Sequence, residues 1–190
     1  MRTIPLAIVF VACVSARSEG GTPAADGSPA PAANAPAAAD GWEATRLTAL
    51  PFLVKDLGGR PLQLADLAGK VVVMDFWASW CKPCIRELPE LAAYHARLAG
   101  RTDVAFVSLN VGEDREAVEA FLRRSPVSFP VYCGDALVEP LQLGAFPTKL
   151  ILDARKPGGD GSAVVRYRRE GLTSVASIEG RVAALLAEQP

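Results

Sequence analysis

The sequence predicts an α/β domain, a central sheet flanked by helices with a β-hairpin ahead of it. Three observations predict it. Val71 to Trp77 is an unbroken run of mainly β-branched and aromatic residues, the pattern of a buried strand. Cys84, Leu88, Leu91, Ala92, His95 and Leu98 then fall on one stripe at helical spacing. Val104 to Val111 reads as a further strand. Strand–helix–strand order implies a right-handed crossover and parallel pairing with the Val71 strand.

Length and composition bound the rest. The 190 residues fit one domain with extensions, and a hydrophobic content of 50% suffices for a full core. A formal net charge of −1 gives no electrostatic case for nucleic acid. Four cysteines are too few, and too unevenly placed, for a disulfide scaffold.

In chain order, residues 1–16 read as an export signal. Met1-Arg2 supplies a positive start, and the apolar run Ile4 to Val14 is too short to span a bilayer. Two processing sites compete. Val14-Ser15-Ala16 is a small-residue site with cleavage before Arg17, whereas Phe10-Val11-Ala12-Cys13 resembles a bacterial lipobox, which would lipidate Cys13. Residues 17–45, rich in Ala, Pro and Gly, lack the periodicity to pack and are expected to form a disordered tether. It would hold the domain ~25–30 Å from an anchor.

The folded domain is expected over residues 46–190. Phe52-Leu53-Val54 and Pro61-Leu62-Gln63-Leu64 are two short strands, with Asp56-Leu57-Gly58-Gly59 as the turn. Asp75 falls inside the apolar Val71 strand. A carboxyl there is partly desolvated, which raises its pKa toward the range where it can handle protons.

The chain turns at Ser79-Trp80 and delivers Cys81 and Cys84 where a strand ends and a helix begins. Unpaired N–H groups and the helix dipole favour a thiolate at Cys81, and Lys82 adds positive charge. Pro83 occupies the first turn, where its missing N–H costs little. Cys84 is one turn further in and more buried. Cys81 is thus the attacking thiol and Cys84 the resolving one. Pro89 should kink the helix and Gly100 end it. Glu87 lies on the edge of the stripe, three residues after Cys84. His95 is about 16 Å beyond Cys84 along the helix and reads as a packing residue.

Asp114 to Arg124 is an amphipathic helix with Val118, Phe121 and Leu122 facing inward. Phe129 to Tyr132 is a short strand, Glu139 to Leu143 a helical turn, and Lys149 to Leu152 a strand entered through Phe146-Pro147-Thr148. Val164 to Arg168 is expected at a sheet edge, with Arg166, Arg168 and Arg169 as a solvated basic rim. Thr173 or Ser174 caps a last helix whose inner face is Val175, Ile178, Val182, Leu185 and Leu186. Cys133 reads as a small buried residue, with a regulatory or second resolving thiol as the alternative.

The segment Asp75-Phe76-Trp77-Ala78-Ser79-Trp80-Cys81-Lys82-Pro83-Cys84 resembles the thioredoxin active-site segment. With Gly69-Lys70 before it and Ile85-Arg86-Glu87-Leu88-Pro89 after it, the pattern resembles the extracytoplasmic TlpA/ResA-like thiol–disulfide oxidoreductases over roughly residues 50–188. The resemblance implies a thioredoxin fold with a central mixed sheet and an N-terminal hairpin extension. It implies that Asp75 lies behind the cysteine pair and assists deprotonation of Cys84, although many TlpA-like proteins carry asparagine there. It implies that Glu87 tunes the acidity of the pair. It also implies a cis peptide before Pro147, with the Phe146 backbone offered to a bound peptide as an added strand. Trp80, Lys82, Pro83, Phe146 and Pro147 are then the substrate groove.

The expected activity is reduction of protein disulfides outside the cytoplasm, periplasmic or lipid-anchored. The electrons reside on the cysteine pair, so no cofactor is required. The resemblance implies protein clients with disulfides or thiols, such as apocytochrome c or copper-site proteins, and a membrane electron donor of the DsbD or CcdA kind. Disulfide donation is the reverse reading. Zinc needs more ligands than one Cys-x-x-Cys and one histidine supply, so no metal site is expected. A Cu(I) chaperone would bring Met or His beside the pair. A peroxiredoxin-like peroxidase wants Thr-x-x-Cys, where this chain has Ala78-Ser79-Trp80-Cys81.

Overall fold

The computed structural model describes residues 41–49, 51–125 and 127–189. The expectations for residues 1–16, for the tether up to residue 40 and for Cys13 lie outside the described residues.

In chain order the strands are β1 (Glu43–Ala44), β2 (Thr48–Ala49), β3 (Leu53–Lys55), β4 (Pro61–Gln63) and β5 (Val71–Trp77). Helix α1 (Lys82–Arg97) follows, then β6 (Val104–Asn110), α2 (Arg115–Leu122), β7 (Val131–Cys133) and α3 (Asp135–Val138). The chain finishes with β8 (Thr148–Asp153), β9 (Ala163–Glu170) and α4 (Val175–Ala187). The main sheet has the order β1-β9-β8-β5-β6-β7, with β2 also on β9. It is mixed: β5 pairs β6 parallel and β8 antiparallel. The hairpin β3–β4 stands apart and is tied to β7 by a bridge from Asp56 to Tyr132.

All seven residues of β5 are buried, which explains its lack of polar alternation. Val71, Val73 and Trp77 face α1, α4 and Val118 of α2. Val72, Met74 and Phe76 face the hairpin, Leu67 and the α3 region. By alternation Asp75 belongs to the α1 and α4 side. Each large apolar side chain buried here contributes about 1.5–3 kcal/mol.

Four expectations need correcting. The fold begins before residue 46: Trp42 is 1% exposed and its indole N–H donates to Ser177 Oγ at 2.9 Å. Consequently Val164 to Arg168 is not at an edge, because β1 and β2 pair with β9 on its outer side. The short helix precedes Glu139, starting instead at Asp135, whose carboxylate also accepts the Gly112 N–H at 2.6 Å. Nor are the three arginines a free rim. Arg166 pairs with Glu188 and Asp153, Arg168 donates to Glu170 and two carbonyls, and Arg169 donates to the Leu172 carbonyl.

The remaining elements lie close to expectation. Helix α1 runs through Pro89, and His95 packs its ring against Phe106 and Phe129. Ser174 caps α4 by accepting the Ser177 N–H at 3.2 Å.

Candidate active site

Strand β5 ends at Trp77, and Val111 N–H donates to its carbonyl at 3.0 Å. The next residues turn the chain into α1. Cys81 is the cap residue of that helix, in extended backbone conformation, with Pro83 in the first turn. Cys81 and Cys84 are joined by a disulfide, their Cα atoms 5.3 Å apart. The Cys84 N–H donates to Cys81 Sγ at 3.3 Å. A negative charge on Cys81 would meet the same N–H and the positive end of the helix dipole. Cys81 is 5% exposed and Cys84 1%, whereas the neighbouring Trp80 is 63% exposed.

A second segment approaches the pair from β8. The Phe146–Pro147 peptide is cis, Pro147 is buried, and Phe146 packs edge-on against Trp80 with ring centroids 6.2 Å apart. The Pro147 carbonyl accepts the Gly171 N–H at 2.8 Å, and Thr148 Oγ1 donates to the Ala145 carbonyl at 2.6 Å. Lys82 is exposed and Pro83 half-buried. Trp80 and Phe146 are thus brought together in one surface next to the cysteines.

A buried charged cluster is formed by residues of β5, α1 and β8. Asp75 is 1% exposed, Glu87 7% and Lys149 0%. Lys149 stands opposite Asp75 in the β5–β8 register, its Nζ 3.3 Å from Asp75 Oδ1, and it ion-pairs Glu87 Oε2. Glu87 Oε1 accepts the Thr173 N–H at 2.6 Å. Neither Asp75 oxygen accepts a hydrogen bond of good geometry among the described residues. Burial pushes the Asp75 carboxyl up, and Lys149 pulls it partly back. Burial likewise raises Glu87, opposed by Lys149 and the Thr173 N–H and reinforced by the Asp75 charge.

Two residues at this site went unnoticed in the sequence. Lys149 looked like the polar start of a strand; the signal was a lysine placed in register with an equally incongruous aspartate. Glu113 lies beyond β6 and holds the turn before Cys81. It accepts the Ser79 N–H at 2.6 Å, the Ser79 hydroxyl, and the Asn110 side-chain amide at 2.7 Å. Glu113→Ala strands these three donors, so a loss of about 1–3 kcal/mol is expected in urea unfolding. Unchanged stability would mean that water replaces the carboxylate without loss. Cys133 is half-buried on β7, in register with Asn110, and forms no part of the Cys81–Cys84 disulfide.

Fold and site together define a thioredoxin-fold protein with a Cys-x-x-Cys disulfide at the head of a helix. The chain belongs to the AhpC/TSA family, whose profile matches residues 45–154. It is similar to the thiol-disulfide oxidoreductase ResA of Geobacillus thermodenitrificans, 35% identical over 108 residues. That match spans 56% of this chain and 62% of the relative's length. Among solved structures, it is similar to a thiol:disulfide interchange protein of the thioredoxin family from Chlorobium tepidum. The TM-score there is 0.63 at 25% identity, over 76% of this chain and 99% of the other. A secreted Mycobacterium tuberculosis disulfide oxidoreductase matches at TM-score 0.53 and 26% identity, over 70% of this chain and 95% of the other.

Proposed function

We propose that this protein is an extracytoplasmic thiol–disulfide oxidoreductase that reduces disulfides in other proteins through Cys81 and Cys84. The observation that carries the reading is the Cys81–Cys84 disulfide at the head of α1, beside the surface of Trp80 and Phe146. The relatives named for this activity support it.

In the reaction, the Cys81 thiolate attacks one sulfur of a substrate disulfide and forms a mixed disulfide. The Cys84 thiolate then attacks Cys81 Sγ, closing the internal disulfide and releasing the substrate as a dithiol. Two electrons and two protons leave the enzyme pair. Asp75 and Glu87 are the candidate proton-handling groups, and the Phe146 backbone before Pro147 is the candidate strand partner for a client peptide. The clients are oxidised cysteines of exported proteins, apocytochrome c and copper-site proteins among them. A membrane dithiol donor of the DsbD or CcdA kind restores the reduced state. The amino-terminal signal, with Cys13 as its lipidation site, would hold the domain on the extracytoplasmic side.

The test is the equilibrium reduction potential of the pair against a dithiothreitol or glutathione buffer, with Cys133→Ser to remove a competing thiol. A value below about −220 mV is expected, as for a reductant. A value near −120 mV would make the protein a disulfide donor instead.

A further inference from the structure

The turn that delivers Cys81 is thinly held by its own backbone. It runs from Ala78 to Cys81 and closes through the Cys81 N–H, which donates to the Ala78 carbonyl at 3.1 Å. A closing bond of this kind leaves the N–H groups of the two central residues, Ser79 and Trp80, without a partner inside the turn. Trp80 is largely exposed. The backbone that aims Cys81 therefore depends on what grips the turn from outside.

Glu113 supplies that grip. Its Oε2 accepts the Ser79 N–H at 2.6 Å, and its Oε1 accepts the Ser79 hydroxyl. Asn110 steers the carboxylate by donating its side-chain amide to Oε2 at 2.7 Å. Gly112, at φ +74°, takes a left-handed conformation that turns the chain after β6. The loop is anchored on both sides. The Val111 N–H donates to the Trp77 carbonyl at 3.0 Å, the Gly112 N–H to the Asp135 carboxylate at 2.6 Å, and the Gly134 N–H to the Asn110 carbonyl at 2.7 Å. Asp114, directly after Glu113, caps α2 by accepting the Ala117 N–H at 2.8 Å. Glu113 is thus a fixed post backed by β6, α2 and α3, with Ser79 fastened to it.

Other charged groups near Cys81 are engaged elsewhere. Glu87 is committed to Lys149 and the Thr173 N–H, and Lys82 is exposed on the first turn of α1. Among the described residues, Glu113 is the charged side chain that bonds to the turn itself.

Resting on the redox reading above, we propose that Glu113 is a positioning residue for the attack of Cys81, acting through Ser79. In that attack the bond from Cys81 Sγ to one substrate sulfur forms as the substrate S–S bond breaks, and the electron pair leaves on the second substrate sulfur. The rate depends on how the attacking atom is aimed. It depends also on Sγ staying at the head of α1, where the Cys84 N–H meets it at 3.3 Å. By fixing Ser79, Glu113 holds both.

The test separates reach from charge. Glu113→Asp keeps the carboxylate and withdraws it by one methylene. Glu113→Gln keeps the reach and removes the charge: its amide oxygen accepts the Ser79 N–H and the Asn110 amide, and its own N–H donates to the Ser79 hydroxyl. Two quantities are read on the full, reduced chain: kcat/KM for insulin disulfide reduction, and the pH profile of Cys81 alkylation by iodoacetamide, with each cysteine quantified separately by peptide mass. Glu113→Asp should lower kcat/KM about tenfold or more, and Glu113→Gln should stay within about threefold of the wild type. The midpoint of Cys81 alkylation should lie about 0.5 pH unit or more higher in Glu113→Asp than in Glu113→Gln. A role in stability alone would leave both readouts of the folded variants unchanged, and that result overturns the proposal. So does the opposite order, an active Glu113→Asp and an impaired Glu113→Gln, which would make the charge and not the grip the effective feature. Absence of insulin reduction by the wild-type chain would remove the redox reading, whereas the alkylation profiles judge Glu113 on their own.

Discussion

Cys81→Ser is expected to lower disulfide reduction by about 10³-fold or more, since the remaining thiol, Cys84, is 1% exposed and lies one turn inside the helix, away from a substrate disulfide. Cys84→Ser should behave differently. Its Cys81 remains at the head of α1, where the Cys84 position still offers a backbone N–H to the sulfur. Attack on the substrate continues, but release does not. The variant should accumulate as a covalent mixed disulfide, visible as a mass increase that disappears on reduction. Cys133→Ser should turn over like the wild type. Trapping by Cys81→Ser instead of Cys84→Ser would reverse the assigned order of attack. Full activity in either single variant would remove the pair from the reaction.

The strand and helix that present these cysteines were legible because each repeats one simple pattern. Val71 to Trp77 has no polar alternation, as a strand covered on both faces requires, and the α1 stripe recurs at helical spacing. Cys81 could be placed at the helix start from that junction alone. Pro147 was legible only through a resemblance, because a cis peptide leaves no signal in local composition. Trp42 and β1 were missed for a different reason. Two-residue strands carry no periodicity, and Trp42 follows a segment whose composition reads as a tether. Its burial depends on α4, some 135 residues later. Lys149 was hidden by the same kind of distance. A lysine at the start of a strand is ordinarily solvated, and only the β5–β8 register reveals that it faces Asp75.

The position of the site in the sheet has a physical consequence. β5 supplies Asp75 and the turn that delivers Cys81. α1 carries Cys84 and Glu87, and β8 carries Lys149 directly after the Pro147-Thr148 entry. β5 and β8 are adjacent central strands, and α1 packs on them. Side chains held by such elements keep their mutual geometry better than side chains on loops. The turn at Ser79 is the one loop segment in this set, and Glu113 fastens it from beyond β6.

Lys149→Met should cost stability. Removing one partner from a buried ion pair leaves an uncompensated charge, at about 3–5 kcal/mol. The pH dependence follows from the raised folded-state pKa values of Asp75 and Glu87. Below the unfolded-state values, near pH 4, both carboxyls are protonated in both states, and the variant should lie closest to the wild type. As pH rises through the raised folded-state values, the unfolded chain ionises more readily than the folded one and the deficit grows. Urea unfolding at about pH 5 and about pH 8 reads this directly, with the larger loss expected at the higher pH. Asp75→Asn should move the other way. It removes the anion that lacks hydrogen bonds and leaves Lys149 with Glu87 as a single neutral pair, so stability above about pH 5 should rise or hold. A Lys149→Met deficit that shrank toward high pH would mean that the two carboxyls bind fewer protons in the folded variant than in the folded wild type, and Lys149 would then not favour their ionised forms.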